Sequence, residues 1–304
     1  MVTGLLGRKP GGRNRLKRVG SRSGFAAGDQ HDLREQYRDP RAPRRLTTRE
    51  NLYRKNRTAP VAWFPWLVRQ INWPLDGEVL EVGCGTGSLW VEAADHLPDG
   101  LSLTLTDLFP SMVSGARNRV QGKAKYAMVR AEQAGPTELS FEDGSFDVVV
   151  ANHVLYHTNP TRAVPELARV LRDDGVLVAS TNGPRDYAVE LSELSAEVFG
   201  GVSASETLEV FSSVTGPPIV GGSFAQVERR DYHDELRCTE PGDVVAWITS
   251  GPPAADASPT QLDQLRSAVQ ARFDAGGGVC KLTREVCVFL CREPHRAVLS
   301  TNLC

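Results

Sequence analysis

The chain has 304 residues, 40% of them hydrophobic and 24% charged, with a formal net charge of −2. That size and balance suit a soluble protein with a sizeable core, built as one large α/β domain with an appendage or as two modest domains. No apolar run approaches the length of a membrane-spanning helix, and a membrane partner is not expected.

The charge is unevenly placed. Residues 1–57 carry 16 Lys/Arg against 5 Asp/Glu, a net of +11. Residues 1–28 are basic and glycine-rich, without apolar periodicity, and read as a disordered tail. No aromatic residues interleave the basic ones at a stacking spacing, so nucleic acid is not an expected partner. The opening "MVTGLLGRKPGG" lacks the apolar core of a signal peptide, and the six cysteines show no paired metal-ligand spacing. Cys287 and Cys291 on one strand face would stand about 13 Å apart, too far to bridge. These features predict reduced thiols in a cytoplasmic protein.

Residues 29–76 predict an N-terminal helical cap. "HDLREQYRDP" and "RRLTTRENLYRKN" have helical character, and in "PVAWFPWLVRQI" Trp63, Trp66, Leu67 and Ile71 share one face. From residue 77 to 182, strands and helices alternate. "EVLEV", "LSLTLTD", "FDVVVAN" and "VLVAST" read as strands. "GSLWVEAADHL", "PSMVSGARNRV" and "TRAVPELARVLRDDG" read as helices, the last ending near Gly175. Near-continuous apolar strands in this rhythm predict a parallel sheet covered on both faces. Residues 183–292 add a helix at "YAVELSELSAEVF", the Gly/Pro-rich stretch "TGPPIVGG" and a strand at "AQVERRDYHDEL". Two helices at "DVVAWITS" and "PTQLDQLRSAVQARFDAGG" and a last strand at "REVCVFLCRE" follow. Residues 293–304 read as a C-terminal tail.

The stretch "VLEVGCGTGSLW" places Gly83, Gly85 and Gly87 between a strand and a helix. Glycine there permits a tight turn and a ligand lying against bare backbone, and the N–H groups at the helix start suit an anion. Dinucleotide folds use G-x-G-x-x-G, whose third glycine would fall at Ser88; the spacing here is G-x-G-x-G. Asp107 ends the second strand twenty residues after Gly87, where a carboxylate accepts the hydroxyl protons of a ribose. That acid suits either cofactor, so the glycine spacing disfavours a nicotinamide oxidoreductase.

"VLEVGCGTG", "TDLFPSMV", "FEDGSFDVVVANHVLYH" and "ELARVLRDDGVLVAS", in this order, resemble the class I S-adenosylmethionine-dependent methyltransferases over residues 77–182. The resemblance implies a Rossmann-like seven-stranded, mostly parallel sheet with helices on both faces, the N-terminal cap, and a lid between the last strands. It also implies S-adenosyl-L-methionine as cofactor. In such a site Gly83, Gly85 and Gly87 wrap the methionine part, with Glu81 and Cys84 in the same turn. Asp107 holds the ribose and Leu108 lies beside the adenine. Asn152 and His153 line the methyl-transfer site. Arg130 stands where the family often has an aspartate, so the Ala131 backbone and Glu132 take over adenine recognition. The flanking segments are similar to a bacterial subgroup acting on small molecules, which makes Arg49 and Tyr53 cap residues near the cofactor carboxylate.

Methyl transfer needs a base only where the acceptor keeps its proton. His153, Tyr156 and His157 in "NHVLYH" are the candidates, a histidine pKa near 6.5 suiting the task. A plainer reading has His153 packed beside the cofactor and His157 capping the next helix. The four-residue spacing of the two histidines suits a metal, but no acidic third ligand is near and no metal site is expected. Trp63, Trp66, Asn182, Tyr187 and Trp247 are candidate substrate-lining residues, since ligands bind at strand carboxyl ends. The expectation is a methyltransferase acting on a small molecule in secondary metabolism. The alternatives are an RNA methyltransferase guided by the basic tail, and a protein that retains the cofactor without methylating.

Overall fold

The computed structural model describes residues 39, 41–200, 208–251, 254 and 257–296. The basic segment 1–28, the helical reading of residues 31–38 and the end from residue 297 lie outside the described residues.

Among the described residues one seven-stranded sheet forms from β1 (Glu78–Val82), β2 (Ser102–Asp107), β3 (Met128–Gln133), β4 (Phe146–Asn152), β5 (Leu171–Asn182), β6 (Phe224–Cys238) and β7 (Cys280–Pro294). The strand order is β3-β2-β1-β4-β5-β7-β6. β1 to β5 pair in parallel, and β7 runs antiparallel between β5 and β6. The sheet is the Rossmann-like, mostly parallel one expected, and β1 and β4 have the bounds read from their apolar runs.

Alternation along each strand sends its side chains to two cores. Val79, Leu103, Leu105, Val148, Val150, Val178 and Val288 pack on one face with α2 (Trp63–Val68), α3 (Ser88–Glu92) and α4 (Pro110–Val120). Leu80, Val82, Val149, Ala151, Leu177 and Ala179 pack on the other with α5 (Pro160–Val170). Asn159 caps α5, its Oδ1 accepting the Thr161 N–H at 3.1 Å, and Pro160 takes the first helical position, where its missing N–H costs nothing.

A third core joins α1 (Ala42–Asn56), α6 (Tyr187–Phe199), α8 (Pro241–Thr249) and α9 (Pro259–Ala275) over the carboxyl edge of the sheet. Leu52 of α1 is 1% exposed within it, a burial worth about 1.5–3 kcal/mol. The cap and the helices between the last strands are therefore one structure rather than two.

Four local readings change. Met128–Gln133 forms edge strand β3, although its side chains are mostly exposed and show no apolar alternation. α5 stops at Val170 instead of near Gly175, because Leu171 already pairs with Phe146 of β4 and the residues up to Val176 bulge out of register. α3 ends at Glu92 and is followed by a separate 3-10 turn, Ala94–His96. Gly216–Gly221, within the Gly/Pro-rich stretch, is a short helix, α7, with Val220 buried on the second core.

Candidate active site

A cavity of about 610 Å³ opens at the carboxyl ends of the parallel strands, under the cap. Its floor is the turn from β1 into α3. Gly83, Gly85 and Gly87 all take positive φ, at 67°, 51° and 73°. Their surroundings differ. A Cβ on Gly85 would stand 3.1 Å from Leu46 Cδ2, in the gap between turn and cap. A Cβ on Gly87 would stand 2.8 Å from Val120 Cγ2 and 3.2 Å from the Ala116 backbone. Gly83, Cys84 and Gly85 line the cavity, whereas Gly87 does not and serves instead the close approach of α4.

The turn is not the open set of N–H groups expected of it. Cys84 N–H donates to Thr106 O at 2.9 Å, Gly85 N–H to Asp107 Oδ2 at 3.0 Å and Gly87 N–H to Cys84 O at 2.9 Å. An anion would have to compete with all three. What the floor offers is a pair of buried acids. Glu81, 2% exposed, accepts the Trp90 indole N–H at 2.6 Å, and burial pushes its carboxyl up to about 8, with the charge of Asp107 adding to the shift. Asp107, 8% exposed, also accepts the Phe109 N–H at 3.0 Å; burial pushes it up to about 6 against the backbone hydrogen bonds that favour its ionised form.

α1 closes the floor from above. Glu50 accepts the Ser88 hydroxyl at 2.8 Å, and Arg54 spans Glu50 and Glu92. One side wall is Leu108, Phe109, Met112 and the segment from Ala134 to Thr137. Leu108 packs on Gly135, where a Cβ would come within 2.8 Å of its Cδ2. Ala131 and Glu132 do not line the cavity: they sit within edge strand β3, the Ala131 carbonyl engaged by Arg117, and the lining begins three residues later, past the strand end.

The far end is formed by Asn152, His153, Tyr156, His157, Asn182, Tyr187, Trp63 and Trp247. Asn152 Oδ1 accepts the Ser180 hydroxyl at 2.8 Å and the Trp63 indole N–H at 3.3 Å, fixing the end of β4 against the cap. His153 holds φ of 53°, uncommon outside glycine, its N–H donating to Ser180 Oγ at 3.1 Å. Its Nε2 and the Asn182 Oδ1 are buried without a hydrogen-bond partner.

Neither histidine keeps the near-neutral pKa assumed for a base. Burial, with Arg284 and His157 adding to it, holds His153 well below its ordinary value, and burial with Arg49 lowers His157 to about 4. Both rings are neutral at pH 7. His157 does not cap α5, a place taken by Asn159; it ends a 3-10 turn, Leu155–His157. Among the described residues no group of three His, Cys, Asp or Glu side chains is placed to hold a metal. Trp66 leaves the lining set: it stacks behind Trp63 with ring centroids 5.5 Å apart and meets Tyr232 at 5.1 Å. Arg49 and Tyr53 do line the cavity, but Arg49 is engaged by Ser250 Oγ at 3.0 Å and Tyr53 by Tyr232 at 2.7 Å.

The residue that sequence reasoning missed is Arg284 of β7. It shares a strand face with Leu282, Val286, Val288 and Leu290, all buried, and that lone charge in an apolar row was the available signal. Leu46 and Glu50 gave none, since their helix is polar over most of its surface.

Sheet order, crossover and cavity position together define a Rossmann-like methyltransferase fold. Residues 80–179 match the family model described as a methyltransferase domain. A ubiquinone/menaquinone biosynthesis C-methyltransferase of Citrifermentans bemidjiense is 26% identical over 171 residues, 56% of this chain and 66% of the relative. A malonyl-[acyl-carrier protein] O-methyltransferase of a Paenibacillus species is 34% identical over 125 residues, 40% of this chain and 44% of the relative. The matches thus span less than two thirds of either relative. Among solved structures, phosphoethanolamine N-methyltransferase 2 of Haemonchus contortus in complex with S-adenosyl-L-methionine is similar at a TM-score of 0.51 and 17% identity, over 86% of this chain and 60% of that one. No helix among the described residues is long and apolar enough to cross a membrane.

Proposed function

We propose that the chain is an S-adenosyl-L-methionine-dependent methyltransferase acting on a small-molecule acceptor. The observation that carries the reading is the pair of buried carboxylates, Glu81 and Asp107, at the floor of one cavity beside a glycine turn. A cation beside them would favour their ionised forms, and the proposed cofactor brings an ammonium and a sulfonium. At about 4 Å and an effective dielectric near 20, each such contact is worth about 4 kcal/mol before desolvation. Asp107 uses one lone pair on each oxygen for the backbone and keeps others for a ribose diol.

When bound, the cofactor supplies an electrophilic methyl group. The residues of the chain would do the rest by position. Gly85 and Leu46 set the width of the gap over the turn, and Leu108 with Gly135 forms a flat wall suited to adenine. Asn152 and His153 mark the boundary between cofactor and acceptor ends. Holding a nucleophile in line in a dry pocket is the main contribution, and two histidines kept neutral by burial suit hydrogen bonding to an acceptor better than bulk proton uptake. The assignment to secondary metabolism rests on the similarity of the flanking segments alone.

Calorimetry tests the reading. S-Adenosyl-L-methionine and S-adenosylhomocysteine should bind saturably and NAD should not; NAD binding without sulfonium binding rejects it.

A further inference from the structure

We infer that the acceptor is a flat, apolar monocarboxylic acid whose carboxylate docks on the Arg284 guanidinium between Tyr53, Trp63 and Tyr187. This rests on the methyltransferase reading for what the neighbouring end of the cavity binds.

Arg284 lines the cavity with its side chain 11% exposed. Its guanidinium carbon lies 5.1 Å from the ring centre of Tyr53, 5.6 Å from that of Tyr187 and 6.0 Å from that of Trp63. Three rings enclose the cation, yet it makes no hydrogen bond among the described residues, and its Nε is buried without a partner. The nearest carboxylate oxygen, Asp186 Oδ2, is 3.8 Å away, beyond hydrogen-bonding reach. Asp186 does not need the arginine: Oδ1 accepts the Ala188 N–H at 2.9 Å and Oδ2 the Glu285 N–H at 3.0 Å. Its buried Nε–H goes unmatched and its other donors make no hydrogen bond among the described residues while facing the cavity, which points to a group that arrives from outside.

The carboxylate nearest Arg284, that of Asp186, favours a ligand of low negative charge. Asp186 offsets part of the arginine's field, and His153 and His157, neutral, add none. A guanidinium fork matches a planar carboxylate with two parallel hydrogen bonds. The buried Asn182 Oδ1 and His153 Nε2, also unpartnered, offer an acceptor and a second polar contact in the same cavity. The aromatic walls favour a flat apolar body. A carboxylate bound through both oxygens is a poor nucleophile, so it anchors the acceptor while another atom takes the methyl group.

The test uses the full chain saturated with S-adenosylhomocysteine. Benzoate, cinnamate and 2-naphthoate are titrated beside their amides and phenyl phosphate, by calorimetry and tryptophan fluorescence. At least one acid should bind tenfold or more tighter than its amide and no weaker than phenyl phosphate. Arg284→Met should abolish the preference for acid over amide, and Arg284→Lys should weaken it. Equal binding of every acid and amide, no binding in the series, tighter binding of the phosphate, or an unchanged preference in Arg284→Met overturns the inference. Should Arg284→Met fail to fold, the acid–amide comparison in the wild type decides alone. S-Adenosylhomocysteine is titrated separately: its failure to bind rejects the methyltransferase reading, whereas its binding without an acid preference rejects only this one.

Discussion

Asp107 Oδ2 accepts the backbone N–H of Gly85 at 3.0 Å, so the acid at the end of β2 holds the middle of the glycine turn. The same carboxylate is the proposed ribose partner, and its two roles can be separated by substitution.

Asp107→Ala leaves the Gly85 and Phe109 N–H groups without their acceptor, at about 1–3 kcal/mol each if they stay dry, and lowers cofactor affinity about ten- to hundredfold. Asp107→Asn keeps one good acceptor and should recover part of the stability but little of the affinity. Paired melts and titrations check this; wild-type affinity in a folded Asp107→Ala protein rejects the ribose role.

The two glycines flanking Thr86 should fail in different ways. Gly85→Val places a branched side chain at φ of 51° against Leu46, so the variant should melt cooperatively yet gain no stability from S-adenosylhomocysteine. Gly87→Ala meets Val120 and Ala116 outside the cavity, so it should lower the melting temperature while keeping affinity within about threefold. The reverse pattern would show that the cavity assignment of the turn is mistaken.

Burial raises the folded pKa of Glu81 to about 8 and of Asp107 to about 6, above their ordinary carboxylate values. Between those ordinary values and the raised ones the folded state binds more protons than the unfolded state, so stability of the ligand-free protein falls as pH rises from about 4 to about 8. Glu81→Gln should flatten the upper part of that fall. A bound cation favours the ionised acids, so cofactor binding at pH 7 should release protons. Calorimetry in two buffers of different ionisation enthalpy reads the number; zero release, or uptake, contradicts the charge assignment.

His157 should stay neutral down to about pH 4. An NMR titration of imidazole-labelled protein checks it, and a His157 midpoint near 6.5 would restore it as an ordinary base candidate.

Removal of residues 1–25 should leave cofactor affinity and turnover unchanged, since among the described residues every one that lines the cavity lies at Leu46 or beyond. Joint loss of activity and RNA binding would favour an RNA acceptor.

The parallel core was legible because buried strands and their helices advertise themselves. β1 and β4 are continuous apolar runs, and α4 opens on Pro110. β3 was illegible because an edge strand with Met128 45% exposed has no buried face to impose a pattern. The same limit hid the side wall proposed for adenine: Ala134 to Thr137 reaches the cavity only because β3 ends where it does. The glycines were legible as a tight turn, all three taking positive φ, but Gly87 approaches a helix, a distinction spacing does not carry. Trp63 and Trp66 share one helical face and both meet Tyr232, so the pattern could not say that Trp63 alone of the two lines the cavity.

β7 lies between β5 and β6, so β6, earlier in the chain, has no place in the sheet until β7 has been added. During synthesis the parallel strands and the glycine turn can assemble while β6 waits unpaired, the row of backbone groups that β7 will cover open to other chains. The strand that ends this wait also carries Arg284. The carboxyl ends of the parallel strands can thus be in place on a nascent chain while the cap, whose Tyr53 holds Tyr232 of β6 and whose Leu52 packs with Leu282, and the proposed acceptor anchor are not.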